Sequence, residues 1–284
     1  MEENNELVLL IDIDSILYYE AHKEKLEWAI KGIDERMERI FNENNTTKYI
    51  AFLTEGKCFR YAKALSSDYK GSRQGKSKPT WFSTLKAYLK AKYGAISIDG
   101  LEADDCVAYF DTKLPNSRIC SPDKDVLHQC PGTHYNYQME SIKDANGVKI
   151  EGMFKSKGFI TTSVENSYRF LYTQMLMGDS TDGISGIEKV GPKTAEKWIN
   201  QCYENEGFEV GISTLEEMIL HRYIDKYGQV EGISRFGETF KLVYLLKTDQ
   251  DMIREIKGIP EIPEIQEYVV EQESVIEEKD KMDW

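Results

Sequence analysis

The chain has 284 residues, 40% hydrophobic and 30% charged, with 36 Lys and Arg against 49 Asp and Glu and a formal net charge of −13. It is long enough to bury a substantial core in one large or two unequal domains. No apolar run nears the roughly 20 residues a bilayer span needs, the acidic start "MEENNELVLL" is no secretory leader, and five scattered cysteines without a Cys-x-x-Cys pair suit reduced thiols, which together predict a globular cytoplasmic protein.

In chain order, "LVLLIDI" (7–13), "YIAFLT" (49–54), "AISID" (95–99) and "SRICS" (117–121) are short apolar runs ending near acids, as expected of buried parallel strands. Helical periodicity at 22–42 and 102–113 lies between them. Alternating strands and helices predict a doubly wound α/β sheet. The stretch 139–162, with an Asn-Gly turn, predicts a small hairpin excursion. From there to about 250 the chain reads as helical, and the Glu-rich end with Pro260 and Pro263 reads as a loosely packed tail.

In such a sheet the functional crevice lies beyond the carboxyl ends of the strands. Acids follow every expected strand: Asp12 and Asp14, then Glu55, then Glu102, Asp104 and Asp105, then Asp123 and Asp125, with Asp179 and Asp182 further on. Two carboxylates about 4 Å apart repel by roughly 4 kcal/mol at an effective dielectric of 20, so "GLEADD" needs a reason to exist. Two reasons stand open: a helix start, where acids meet free amides, and a metal cage. An all-oxygen ligand set suits Mg²⁺ or Mn²⁺, and a pair of such ions serves phosphoryl displacement. On this reading Asp105→Asn would relieve repulsion and raise the melting temperature of the metal-free chain. Cys120, His128, Cys130 and His134 match no zinc-finger spacing and read as buried thiols and polar histidines.

Charge is unevenly spread. From Lys57 to Lys92 ten basic residues face the single acid Asp68, and Tyr69 lies beside Lys70, a combination suited to gripping a single strand. "GIEKVGPKTAEKW" (186–198) is a glycine-bounded turn opening a helix, with backbone amides and Lys193 placed for a phosphate; a tight helix–helix loop would read the same way.

The ordered set "LLIDID", "SSDYKGSR", "GLEADD", "SPDKD" and "MGDSTDGISGIEKVGPKTA" resembles the phage and bacterial 5′-3′ exonucleases of the flap endonuclease superfamily over about residues 7–200. The resemblance implies a PIN-like α/β catalytic domain (1–160), doubly wound on a mostly parallel sheet. It also implies a basic helical arch at about 57–92 and a helical DNA-binding region (161–250) with a helix-hairpin-helix-type motif at 184–200, while the Glu-rich stretch 251–284 reads as an acidic tail. Asp12, Glu102, Asp104, Asp105 and Asp123 would serve a first Mg²⁺ or Mn²⁺ ion and Asp125, Asp179 and Asp182 a second. Glu55 stands where the family usually has Asp, so that its reach is longer. Asp14 is an extra acid, either solvated or supporting. Lys70 and Arg73 would face the scissile phosphate with Asp12, Asp105 and Asp123 as its catalytic acids. Tyr69 would stack on a base, Arg60 would assist, and Gly186, Val190, Gly191, Lys193 and Thr194 would hold duplex DNA, with K⁺ at that turn. The implied function is a monomeric, metal-dependent 5′ nuclease acting on DNA ends, flaps and nicks or on RNA/DNA hybrids, with a replication protein as a further partner. A PIN-type single-strand ribonuclease and a non-catalytic DNA-junction binder are the alternatives.

Overall fold

The computed structural model describes residues 6–73, 75–143 and 146–269, excluding the side chains of 152 and 205–212. In chain order the elements are β1 (Val8–Asp12), α1 (Asp14–Glu20), α2 (Leu26–Asn44), β2 (Lys48–Phe52), α3 (Arg60–Lys63), α4 (Phe82–Tyr93), α5 (Ala103–Asp111), β3 (Ser117–Cys120) and α6 (Lys124–Gln129). Then follow β4 (Gly132–Lys143), β5 (Lys149–Thr162), α7 (Val164–Met177), β6 (Gly178–Asp179), β7 (Ile184–Ser185), α8 (Pro192–Tyr227), α9 (Gln229–Val243), α10 (Asp249–Ile256) and β8 (Gln266–Glu267).

The main sheet runs β5-β4-β3-β1-β2-β8. Its four inner strands are mutually parallel, and both edges are antiparallel. Strand β1, "VLLID", is buried throughout because both its faces are covered. Leu9 and Ile11 face a core built with α1, α2 and α4, whereas Val8 and Leu10 face one built with α5, α6 and α10. A third core joins α7, α8 and α9 and takes in Cys58 and Tyr69. The strand order turns at β1, which is flanked by β2 and β3, so the crevice of a doubly wound sheet opens above the end of β1.

Three expectations change. "AISID" makes one parallel bridge, Phe52 to Ile96, instead of a strand. The hairpin starts earlier, at Gly132, and is the β4–β5 edge of the main sheet. Among the described residues the basic segment carries α3, a 3₁₀ turn at Gly71–Arg73 and α4, which packs into the core through Leu85 and Leu89. The end is not loose as far as residue 269, since β8 pairs with β2 and Tyr268 stacks on Phe41 at 4.3 Å; residues 270–284 of the expected tail lie outside the described residues. None of the described helices is long and apolar enough to cross a membrane.

Candidate active site

Asp12 ends β1, where the strand delivers it into the crevice. Its Oδ2 accepts the Ser121 hydroxyl at 2.9 Å, its Oδ1 accepts the Asp14 amide at 3.1 Å, and its carbonyl accepts the Tyr137 hydroxyl. Asp14 is the first residue of α1, and its Oδ1 accepts the Thr54 amide at 3.0 Å. Asp123 caps α6 by accepting the Asp125 amide at 2.7 Å, while its own amide donates to Ser121 Oγ at 3.0 Å. Ser121 and Thr54 thus brace acids from the ends of β1 and β3. Neither was singled out in the sequence, where a serine or threonine after a strand carries no signal of its own.

The "GLEADD" segment starts a helix and also gathers its acids. Glu102 and Asp105 form a reciprocal capping box at the start of α5. Glu102, Asp104 and Asp105 also bring one carboxylate oxygen each within 4.8 Å of one another. Burial raises the pKa of Asp104 well above the usual range, with Glu102 and Asp105 adding repulsion. Burial likewise raises Asp12 to about 8, with Asp14 and Asp123 adding to it, and raises Asp14. Glu102 goes the other way: burial opposes its charge, but Lys70 and Arg60 hold it at about 2. The donors are all oxygen and their charge is short of cations, which is what a hard divalent ion would correct.

Asp105 itself is turned to a different partner. Its carboxylate is fully buried and takes both arms of the Arg60 guanidinium, at 2.5 and 2.7 Å. Arg60 spends its other donors on Glu102 Oε2 (3.3 Å) and the carbonyls of Leu242 (3.1 Å) and Tyr244 (2.9 Å). With 2% exposure it cannot reach DNA, a correction to its expected role. Tyr69 is corrected likewise: it is 3% exposed, with its hydroxyl donating to Glu102 Oε2 at 2.6 Å and its ring edge-on to Tyr61. It braces Glu102 and has no open face for a base.

Lys70 stands among the acids. Its ammonium contacts Glu102 and lies 3.9 Å from Asp182. Its backbone adopts a positive φ of 52°, held by a 2.7 Å bond from its amide to the Asp182 carbonyl. Arg73 is more exposed and pairs with Asp182 at 2.7 Å. A cleft of about 1280 Å³ is lined by Asp12, Asp14, Glu102, Asp104 and Asp123 together with Lys70, Arg73, Lys76 and Lys78. Asp14 therefore lines the same cleft as Asp12 and Asp123.

Glu55 does not join it. Its oxygens are taken by Lys86 (3.0 Å), Lys90 (2.7 Å) and Ser97 (2.6 Å), which hold it at about 2. Three of the acids lie beside the main cluster. Asp125 is raised to about 7 by burial and Asp123. Asp179 pairs with Lys124 at 2.7 Å, which keeps its pKa low despite burial. Asp182 is raised by burial, with Lys70 and Arg73 opposing.

The turn before α8 is placed by glycine packing. At Gly178 an added Cβ would come within 2.2 Å of the Ile184 carbonyl, and at Gly186 within 2.3 Å of the Gly178 amide, so Gly186 serves the close β6–β7 crossing. The Val190 amide is bonded to the Ile187 carbonyl and the Thr194 amide to that of Gly191. Gly191 is the N-cap of α8 and Lys193 is exposed just inside it. His134 uses Nε2 on the Cys130 carbonyl at 2.7 Å, a structural role.

No family model matches the chain. Among curated proteins it is 23% identical over 208 residues to a 5′-3′ exonuclease of Buchnera aphidicola, covering 66% of this chain and 68% of that one. It is 30% identical over 179 residues to the flap endonuclease Xni of Shewanella halifaxensis, covering 60% of this chain and 67% of the relative. The chain belongs to the 5′-3′ exonuclease and flap endonuclease family. The fold agrees. A solved structure of the bacteriophage T5 flap endonuclease with DNA and metal ions aligns over 88% of this chain and 89% of that one, with a TM-score of 0.52 at 15% identity, and another with metal ions gives 0.54. In this flap endonuclease fold, the mostly parallel PIN-like sheet places the acids at the ends of β1 and β3 and at the start of α5 in one cleft.

Proposed function

We propose that this chain is a divalent-metal-dependent 5′ nuclease that hydrolyses phosphodiesters in DNA as a 5′-3′ exonuclease and flap endonuclease. The observation that carries the reading is the meeting of Asp12, Asp14, Glu102, Asp104 and Asp123 with Lys70 in a single cleft. Asp12, Glu102, Asp104 and Asp123 would hold one Mg²⁺, and Asp125, Asp179 and Asp182 a second, with Asp14 supporting and Asp105 acting at one remove through Arg60. Ions held there would supply Lewis acidity to the scissile phosphate and a nucleophile at neutral pH.

The side chains divide the remaining work. Lys70 already bridges Glu102 and Asp182, so an arriving phosphate would draw its ammonium outward and meet a cation placed in advance. Arg73, more exposed, would clamp the same phosphate with its planar fork. Lys76 and Lys78 at the cleft wall would track the single strand. Further off, Lys193 and the start of α8 would seat a duplex phosphate, with K⁺ at the turn as a further ion. Mg²⁺ or Mn²⁺ would serve as the metal, the protein would act as a monomer, and RNA/DNA hybrids would be a second substrate class.

A 5′-labelled flap, a nicked duplex and an RNA/DNA hybrid, each incubated with Mg²⁺ or with chelator, test this. The reading requires short 5′ products from the flap in Mg²⁺ alone. Cleavage of single-stranded RNA but not of the flap would replace it with a ribonuclease.

A further inference from the structure

The loop that carries Lys70 is held from one side by a carboxylate to which no role has yet been given. Glu238, on α9, is 5% exposed. Its Oε1 accepts three successive backbone amides, from Leu65 at 2.8 Å, Ser66 at 2.9 Å and Ser67 at 2.9 Å, and its Oε2 accepts the Ser66 hydroxyl at 2.8 Å. Converging amides of this kind form an anion-binding nest, here filled by a side chain 171–173 positions away in sequence. A single surface cap would use one amide; this carboxylate fixes the first three residues of the loop that leads to Tyr69, Lys70 and Arg73.

The other side of the same loop is fixed by the turn that leads to α8. The Lys70 amide bonds the Asp182 carbonyl at 2.7 Å. Gly183, at φ +70°, sits so close to the Asp68 carbonyl that a Cβ would come within 2.2 Å of it. The Ser185 amide donates to Ser67 Oγ at 3.2 Å. The next residue on α9, Thr239, donates to the Ser185 carbonyl at 3.0 Å and accepts the Tyr223 hydroxyl of α8 at 3.2 Å. Neighbouring residues of one helix therefore grip the Lys70 loop and the turn before α8.

We propose that Glu238 is a positioning residue that sets Lys70 against the reacting phosphate, and that α9 links the seating of α8 to the placing of that lysine. The inference rests on the nuclease reading for its effect on rate, but not for its effect on the loop. Losing Glu238 would free the loop while leaving the acids of the cleft and the exposed Lys193 unchanged.

Two variants and two readouts test it. Glu238→Gln keeps the size and one acceptor, and Glu238→Ala removes both; melting temperatures establish that each is folded. Hydrogen exchange at the amides of Leu65, Ser66 and Ser67 should speed up by about tenfold in Glu238→Gln, the scale of a lost charge-assisted bond. Unchanged exchange there would overturn the inference whatever the chain hydrolyses, whereas failure of the wild type to cut a flap in Mg²⁺ would count against the nuclease reading alone. For the rate, single-turnover cleavage at saturating flap DNA should fall by about 100-fold in Glu238→Ala, as expected for a group displaced by an ångström, with DNA affinity kept. The same substitution made in a Lys70→Ala background should cost little more, because both act through one ammonium. Full additivity of the two losses would show a general structural role and sink the assignment.

Discussion

Arg60 and Asp105 form a fully buried bidentate pair, with bonds of 2.5 and 2.7 Å, directly beneath the acids of the cleft. The pair turns an expected repulsion into a support. Since Arg60 also contacts Glu102, it neutralises the inner half of the "EADD" cluster and leaves the outer half, Asp104, to the cleft. Removing one partner of a buried pair costs roughly 3–5 kcal/mol because the other charge is left stranded. Asp105→Asn should therefore lower the melting temperature of the metal-free chain by on the order of 10 °C, the reverse of what self-repulsion alone predicts. A thermal melt in chelator decides between them.

The pH dependence of the metal-free protein follows from Asp12. Its folded pKa, pushed up to about 8 by burial and by Asp14 and Asp123, lies above its unfolded value. The folded state thus holds the proton more tightly, and this contribution to stability is complete below the unfolded pKa and lost as pH rises through about 8. Asp125, raised to about 7, adds in the same direction. From pH 5 to 8 the chain in chelator should lose melting temperature, and Mg²⁺, which competes with those protons, should restore most at the upper end. At a hundredfold excess over its dissociation constant one site contributes about 2.7 kcal/mol. A melt series showing the largest Mg²⁺ gain at pH 5 would contradict this.

Lys70 and Lys193 should separate chemistry from grip. Lys70 contacts Glu102 inside the cleft, whereas Lys193 stands exposed at the start of α8. Lys70→Ala should slow single-turnover cleavage at saturating DNA, while Lys193→Ala should weaken binding and reduce its salt slope by about one phosphate contact. Equal affinity losses with no change in rate would remove the distinction.

Glu55 provides the converse test. It is half-buried and held by Lys86 and Lys90, so Glu55→Gln should leave the Mg²⁺ dependence of cleavage unchanged. A rightward shift of that titration would return Glu55 to the ligands.

The sequence made the main lines of this legible, and the losses have physical causes. Strands β1, β2 and β3 announce themselves as short apolar runs because both faces are covered, and Asp12 and Asp123 follow from where those strands end. "AISID" carries the same signature but meets only one bridge at Phe52, since adjacency in a sheet is not a property of one segment. Glu55 misled because a carboxylate after a strand can turn to lysines 31 and 35 residues on, in a helix whose packing the sequence does not reveal. Arg60 and Tyr69 read as surface groups in a basic stretch; their burial depends on Asp105, Glu102 and the carbonyls of Leu242 and Tyr244, which only the fold assembles. Glu238 gives no local signal at all, being one acid on an amphipathic helix.

The central claim, that the strand-end acids perform metal-dependent phosphodiester cleavage, is tested most directly at Asp123. It lines the cleft and caps α6, and Asp123→Asn preserves its size and an acceptor oxygen for the Asp125 amide. Single-turnover cleavage of a 5′-labelled flap in Mg²⁺ should fall by roughly 10³-fold, the several kcal/mol that a catalytic metal supplies. Affinity for the same flap should hold or rise as repulsion with phosphate falls. Cleavage at the wild-type rate by a variant that binds normally would take Asp123 out of the site and contradict the account.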